Sequence, residues 1–294
     1  MSNQMRGHLA MLLFSVLVAG SFSLGHMVAN EIAPAALNVV RFLIASVVIG
    51  TVAALTTGFK RSDFDAPWRY LLLGGLFAVY FVLMFEGLKT ADPVSTSAVF
   101  TLIPLMSAGF GYLLLRQIMT RRMALALAIG AVGALWVIFR ADLAALLRFR
   151  IGTGEMIYFW GCVAHAIYTP LVRKLNRGEA PVVFSFGMML AGFFILLAYG
   201  WPDLVATDWA ALPGIVWITL AYISIAASSI TFVLLQYAVL RLPSAKVMAY
   251  TYLTPSWVIL WEIVLGNGAP NVLVPGGIAM TIVALWLLLK DEEL

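Results

Sequence analysis

Long apolar segments alternate with short polar segments along the whole chain. Each apolar segment holds roughly 20 residues and few charges, the length that an α-helix needs to cross the hydrocarbon core of a bilayer. Prolines stand at or near many of their starts, where a helix tolerates the missing N–H donor. The pattern predicts ten transmembrane helices, over 8–28, 34–57, 67–89, 93–116, 120–139, 153–173, 181–201, 212–240, 243–266 and 273–290.

The composition places the chain among membrane proteins. Hydrophobic residues make up 63% of the 294 residues and charged residues only 11%, against about 45–50% and about 25% in ordinary soluble domains. A soluble enzyme, a nucleic-acid-binding protein and a disordered chain are therefore excluded. With three histidines and one cysteine, we expect neither a metal site nor a cofactor. The expected surroundings are the lipid bilayer, with no nucleic acid partner.

The basic residues predict an orientation. Most of the 18 Lys and Arg residues lie in polar segments that share one side of the membrane with the N terminus. By the positive-inside rule both termini should be cytoplasmic, and we expect a multi-pass protein of the bacterial inner membrane. The arginine-rich segment 140–152 would lie outside; its Leu143, Leu146 and Leu147 predict a short interfacial helix between two halves of the chain.

Similar segments recur about half a chain apart. Ala134-Leu135-Trp136 corresponds to Ala284-Leu285-Trp286, and Leu102 and Pro104 correspond to Leu253 and Pro255. With five helices in each half, the second copy enters the membrane from the opposite side. The predicted fold is an all-α polytopic membrane protein of ten transmembrane helices in two inverted five-helix repeats, residues 1–145 and 146–294. Inverted repeats are typical of secondary transporters, with the substrate site between the repeats.

The repeat-related prolines Pro104 and Pro255 are predicted hinges. Each lies near the middle of its span, where a proline removes a hydrogen bond and kinks the helix. The two kinked helices would line a substrate path, or they would serve packing alone.

Three charged residues fall within or at the ends of spans. Arg41 lies well inside the second span, where a charge is costly and usually faces the bundle interior. It could bind a substrate carboxylate, or it could pair with Glu86 at the end of the third span. Glu262, near the end of the ninth span, could couple transport to protons or cations, or could be an interfacial residue.

Polar and aromatic residues inside the spans are candidates for substrate contact. His165 could relay a proton or donate to substrate, and Tyr80 and Trp160 lie deeper than an interfacial belt, so they could stack on a ring or hold an ammonium group. All of these side chains could instead serve helix packing. The predicted substrate-binding set is Tyr80, Phe100, Trp160, His165, Ser229, Gln236 and Tyr250.

The order of these features resembles the drug/metabolite transporter superfamily of the EamA type, over essentially the whole chain. The resemblance rests on Arg41-Phe42, on Phe85-Glu86-Gly87-Leu88, on the Leu-x-Pro segments 102–104 and 253–255, and on Glu262. The family often carries a glutamate at the end of the fourth span of each repeat; here the first half has Gly111 at that position. Within the superfamily the chain looks most similar to the aromatic amino-acid exporter branch.

The resemblance implies a secondary transporter that exports small metabolites, among them amino acids, by alternating access through a central cavity, as a monomer or a homodimer and without enzyme activity. One alternative is an intramembrane enzyme acting on a lipid-linked substrate, with Ser229 and His165 as nucleophile and base. Another is a membrane receptor or scaffold, which would not need an inverted repeat.

Overall fold

The computed structural model describes residues 3–139, 144, 151–268 and 272–289. Within these ranges the chain is helical and contains no strand. The first half holds α1 to α6: Asn3–Val28, Pro34–Thr56, Trp68–Leu88, Pro93–Phe100, Ile103–Leu115 and Arg121–Ile138. The second half holds α7 to α13: Thr153–Leu175, Pro181–Ala206, Gly214–Ser224, Thr231–Val239, Ser244–Ala249, Thr254–Val264 and Val274–Leu289.

Seven helical segments in the described part are long and apolar enough to cross a membrane. Two of them are composite. One runs over Pro93–Leu115 through α4 and α5, and the other over Gly214–Val239 through α9 and α10. The chain is therefore a polytopic membrane protein. The predicted interfacial helix within 140–152, with Leu143, Leu146 and Leu147, and the predicted boundary at residue 145 lie outside the described residues.

The helix at Pro104 is interrupted rather than kinked. Between α4 and α5 the amides of Thr101 and Leu102 bond the carbonyl oxygens of Ala98 and Val99, each at 3.0 Å, so α4 ends in a tight turn. Pro104 then lies in the first turn of α5, where a helix tolerates the missing N–H because the first N–H groups have no intrahelical partner. The prediction that Pro104 kinks a continuous helix from within is therefore wrong, because this residue begins a separate helical piece.

Pro255 occupies the same kind of position. Residues Tyr250–Leu253 form a short 3₁₀-helix between α11 and α12, and Pro255 lies in the first turn of α12. At each of these two prolines, two helical pieces meet, and the proline lies in the first turn of the second piece.

Glycines permit close helix contacts between the two parts of the sequence. Helix α2 packs on α8, α3 on α7 and α8, and α6 on α13. A Cβ at Gly133 would lie 2.6 Å from the carbonyl oxygen of Gly277, and a Cβ at Gly74 would lie 2.6 Å from the carbonyl oxygen of Met188. These backbones approach as closely as small residues allow. Aromatic side chains of α3, α7 and α10 fill the middle of the bundle.

Candidate functional site

Aromatic side chains from both halves of the sequence pack around Phe77 at the centre of the bundle. The ring centroid of Phe77 lies 4.0 Å from that of Tyr168, 4.4 Å from that of Phe232 and 4.9 Å from that of His165. All members are buried. We call this group the central ring cluster; its residues are Phe77, Tyr80, Phe81, Phe100, His165, Tyr168 and Phe232.

The central ring cluster encloses a very small void. The void measures about 10 Å³, which is just enough for one water molecule. Its other walls come from α1, through Phe14 and Val18, and from Ala227. A metabolite would have to separate these rings to enter, so the bundle is closed at its centre in this conformation.

Hydrogen bonds leave two polar atoms of this region without partners. The Nε2 of Gln236 donates to the Tyr168 hydroxyl at 2.8 Å, but its Oε1 accepts nothing. The Nδ1 of His165 is also buried without a partner. The Tyr80 and Tyr158 hydroxyls lie 2.9 Å apart and join α3 to α7. Of the predicted residues, Tyr80, Phe100 and His165 belong to the cluster, and Gln236 bonds its Tyr168. Ser229 is buried two residues after the wall residue Ala227.

Arg41 lies directly behind one wall of the void. Its side chain is completely buried, and its guanidinium carbon lies 3.6 Å from the centre of the Phe81 ring. The Nε donates to the Ser228 hydroxyl at 2.7 Å and the Nη2 to the Ala227 carbonyl at 3.1 Å. The Nη1 is buried without a partner. The charge predicted inside the second span is therefore central to the bundle.

A π-helical segment supplies the acceptors for Arg41. Residues Ile225–Ile230 adopt this wider helix between α9 and α10. The Ser229 hydroxyl donates to the Ser224 carbonyl at 2.8 Å, five residues back, as the wider turn permits. π-Helical turns are rare and frequently mark functional sites. Hydropathy alone predicts a continuous apolar helix here and does not reveal this feature.

Two predicted site residues lie elsewhere. Trp160 is 60% exposed on the outer side of α7, so the prediction that it reaches a central site is wrong. Its helix turns about 100° per residue, and facing His165 inward places Trp160 outward. Tyr250 is buried against α1, where its hydroxyl lies 3.0 Å from the Nδ1 of His8, so it does not join the rings that line the void.

The acidic residues also differ from expectation. Glu86 is half-exposed and pairs with Lys89 at 2.8 Å, so the predicted alternative of an Arg41–Glu86 pair is wrong. Glu262 is buried; its Oε2 accepts from Asn267 at 2.9 Å and its Oε1 has no partner. In the proposed enzyme pair, Ser229 donates to a backbone carbonyl rather than to His165.

A buried ion pair stabilises one end of the bundle, and sequence reasoning did not single it out. The Arg69 Nη2, at the start of α3, lies 2.7 Å from the Glu179 Oε1, and their side chains are only 1% and 4% exposed. The Arg69 Nη1 also donates to the Leu175 carbonyl at 2.6 Å. Burial raises the pKa of Glu179, but hydrogen bonds from Arg69 and the Arg177 amide outweigh it and hold that pKa below its usual value.

Within the described ranges, no group of three or more His, Cys, Asp and Glu side chains could hold a metal ion. The central ring cluster contains no Asp, Glu, Lys or Arg side chain, and the Arg41 guanidinium lies against its Phe81 ring. The site can therefore enclose an apolar or aromatic group and place an anion against a guanidinium.

Comparison with known proteins decides the family. The model of the EamA-like transporter family matches residues 5–139 and again residues 152–290. The chain belongs to the EamA-like transporter family. A curated relative, the uncharacterized transporter YyaM of Bacillus subtilis (strain 168), is 24% identical over 251 residues, which are 84% of this chain and 82% of that protein.

A solved crystal structure shares the fold of this EamA-like chain. The two superpose with a TM-score of 0.71 at 21% sequence identity, over 97% of this chain and 96% of the other. Family membership and the YyaM relative identify the chain as a multi-pass membrane transporter. The resemblance to the EamA type is thereby confirmed; the aromatic amino-acid branch stays a prediction.

Proposed function

We propose that this EamA-like protein is a secondary transporter that exports small metabolites, amino acids including aromatic ones among them, by alternating access. The observation that carries the proposal is the central ring cluster. It is buried in the middle of the bundle, is built by helices of both halves, and surrounds a void of about 10 Å³. In the proposed transporter, this cluster is the substrate chamber in a closed form.

The proposed architecture is ten transmembrane helices in two inverted repeats, with both termini cytoplasmic in a bacterial inner membrane. It is supported by the helices found in the remaining predicted spans, namely α7, α11 with α12, and α13. It is also supported by the two separate matches of the family model to the two halves. An odd number of helices in each match inverts the second copy relative to the first.

The two junctions that precede Pro104 and Pro255 would allow the proposed movement. The α4–α5 and α11–α12 junctions lie at repeat-related positions, and a short turn there can change angle without disrupting a full helix. Pro104 and Pro255 would fix the start of the moving second pieces. Rotation about these junctions would open the ring cluster to one side of the membrane at a time.

Transport in proteoliposomes tests the proposal. Purified protein should accelerate the entry of labelled L-phenylalanine above the rate in protein-free liposomes. Phe77→Ala should lower that rate at least tenfold, because this ring touches most of the cluster. Phe194→Ala removes a ring that is 57% exposed on the outer surface and should retain the wild-type rate. Absence of flux for every amino acid tested would overturn the proposed substrate class.

A further inference from the structure

We propose that Arg41 binds the carboxylate of the transported metabolite, so that the site selects molecules carrying both a free carboxylate and an apolar or aromatic group. The inference rests on the proposed function and deepens it. It assigns one charged side chain to one ligand group and predicts which analogues the transporter rejects.

The charge of Arg41 is the first feature that supports the proposal. Arg41 is completely buried, and its described partners are a hydroxyl and a carbonyl, which are neutral. Glu179 is paired with Arg69 and Glu86 with Lys89, so neither of these acids serves Arg41. A buried cation without an anion is costly, both in a protein interior and in a bilayer. An anionic ligand would supply the missing charge during each transport cycle.

The hydrogen-bonding capacity of Arg41 also supports the proposal. Guanidinium offers five N–H donors in one plane and suits a carboxylate that accepts two of them. In Arg41 the Nε and Nη2 are engaged, whereas Nη1 is buried and has no acceptor. A buried donor that is left unpaired costs about 1–3 kcal/mol. The Nη1 of Arg41 can therefore donate to one oxygen of a carboxylate.

The location of Arg41 beside the central void supports the proposal as well. Two of the groups that contact the Arg41 guanidinium, the Phe81 ring and Ala227, also line the central void. A ligand that separates the rings would bring its acidic end to Arg41 and its apolar end against Phe77 and Tyr80. The unpaired Oε1 of Gln236 is an acceptor suited to an ammonium group of the same ligand. An α-amino acid with an aromatic side chain matches all three features.

The test compares an acid with its amide, which differ in the carboxylate alone. L-Phenylalanine and L-phenylalaninamide are competed against labelled L-phenylalanine uptake in proteoliposomes. Wild-type protein should prefer the acid at least tenfold. Arg41→Gln should lower the apparent affinity for the acid at least tenfold and change that for the amide less than twofold. Arg69→Gln removes another buried arginine and should leave the acid-to-amide ratio unchanged.

The outcomes separate the two proposals. Equal competition by acid and amide in wild-type protein would overturn the role of Arg41 while leaving amino-acid transport in place. An equal loss for both ligands in Arg41→Gln would show a structural role and overturn it as well. If Arg41→Gln does not fold, Arg41→Lys and the wild-type ratio decide, since a retained charge should retain the preference for the acid. Absence of all amino-acid flux would overturn both proposals.

Discussion

Replacing Glu179 with alanine should destabilise the folded protein by about 3 kcal/mol, the cost of leaving one partner of a buried ion pair alone. The Arg69 side chain is 1% exposed and cannot turn towards water without leaving its place. Its bonds to the Leu175 and Asp65 carbonyls would remain, but they carry no compensating charge. Glu179→Gln keeps the shape of the side chain and one acceptor oxygen, so it should lower the free energy of unfolding by less than Glu179→Ala.

The assay is reversible unfolding of the purified protein in mixed detergent micelles. Glu86→Ala is the matched control, because the Glu86–Lys89 pair is more than 30% exposed on both sides and such pairs contribute about 0–1 kcal/mol. Equal losses for Glu179→Ala and Glu86→Ala would refute the reasoning.

The pH dependence of unfolding gives the same prediction a second readout. The pKa of Glu179 is lower in the folded protein than its usual value of about 4.5, so the pair stabilises fully at neutral pH. This stabilisation should decrease as the pH falls below about 4.5 and the carboxylate takes up a proton. Wild-type protein should therefore lose stability towards acid more steeply than Glu179→Gln. Parallel curves for the two proteins would contradict the stated cause.

Three further sets of substitutions test packing and hydrogen bonding. Tyr80→Phe and Tyr158→Phe should each cost about 1 kcal/mol, and the double variant should cost less than their sum, because no hydroxyl then stays without its partner; strictly additive unfolding free energies would contradict this. Pro104→Ala should change stability by less than about 1 kcal/mol, since this residue begins α5; a larger change in the same unfolding assay would indicate a mid-helix role. Gly133→Ala should destabilise the protein and Gly109→Ala should not, because an added Cβ meets a carbonyl of α13 at Gly133 and open space at Gly109; thermal unfolding that ranks them otherwise would refute close α6–α13 packing.

The helices could be predicted from the sequence because a segment that lies in a bilayer has to be apolar along its length. Each predicted span coincides with helix in the structure, and prolines such as Pro34 and Pro181 do begin helices. Which face of a helix points inward is a separate question. Trp160 and His165 lie five residues apart on α7, about 140° around the helix, so both could not face one centre. This angle can be calculated from the sequence, but which of the two side chains points inward depends on packing between helices.

The local departures from α-helix could not be predicted from the sequence, for a different reason. The π-helical segment Ile225–Ile230 and the 3₁₀-helix Tyr250–Leu253 lie inside apolar spans and carry no charged side chain, so hydropathy predicts continuous helix there. In the π-helical segment, the Ala227 carbonyl accepts a hydrogen bond from the Arg41 side chain of α2. The depth of Arg41 was predictable, whereas its partners on α9–α10 are contacts between distant parts of the chain.

Trans-stimulation is the measurement that tests alternating access through the central ring cluster most directly. Proteoliposomes are loaded with unlabelled L-phenylalanine, and the initial entry of labelled L-phenylalanine is compared with entry into vesicles without it. A site exposed to one side at a time returns faster when occupied, so the preloaded vesicles should take up label several times faster. Entry that is unchanged or slowed by preloading would contradict the account.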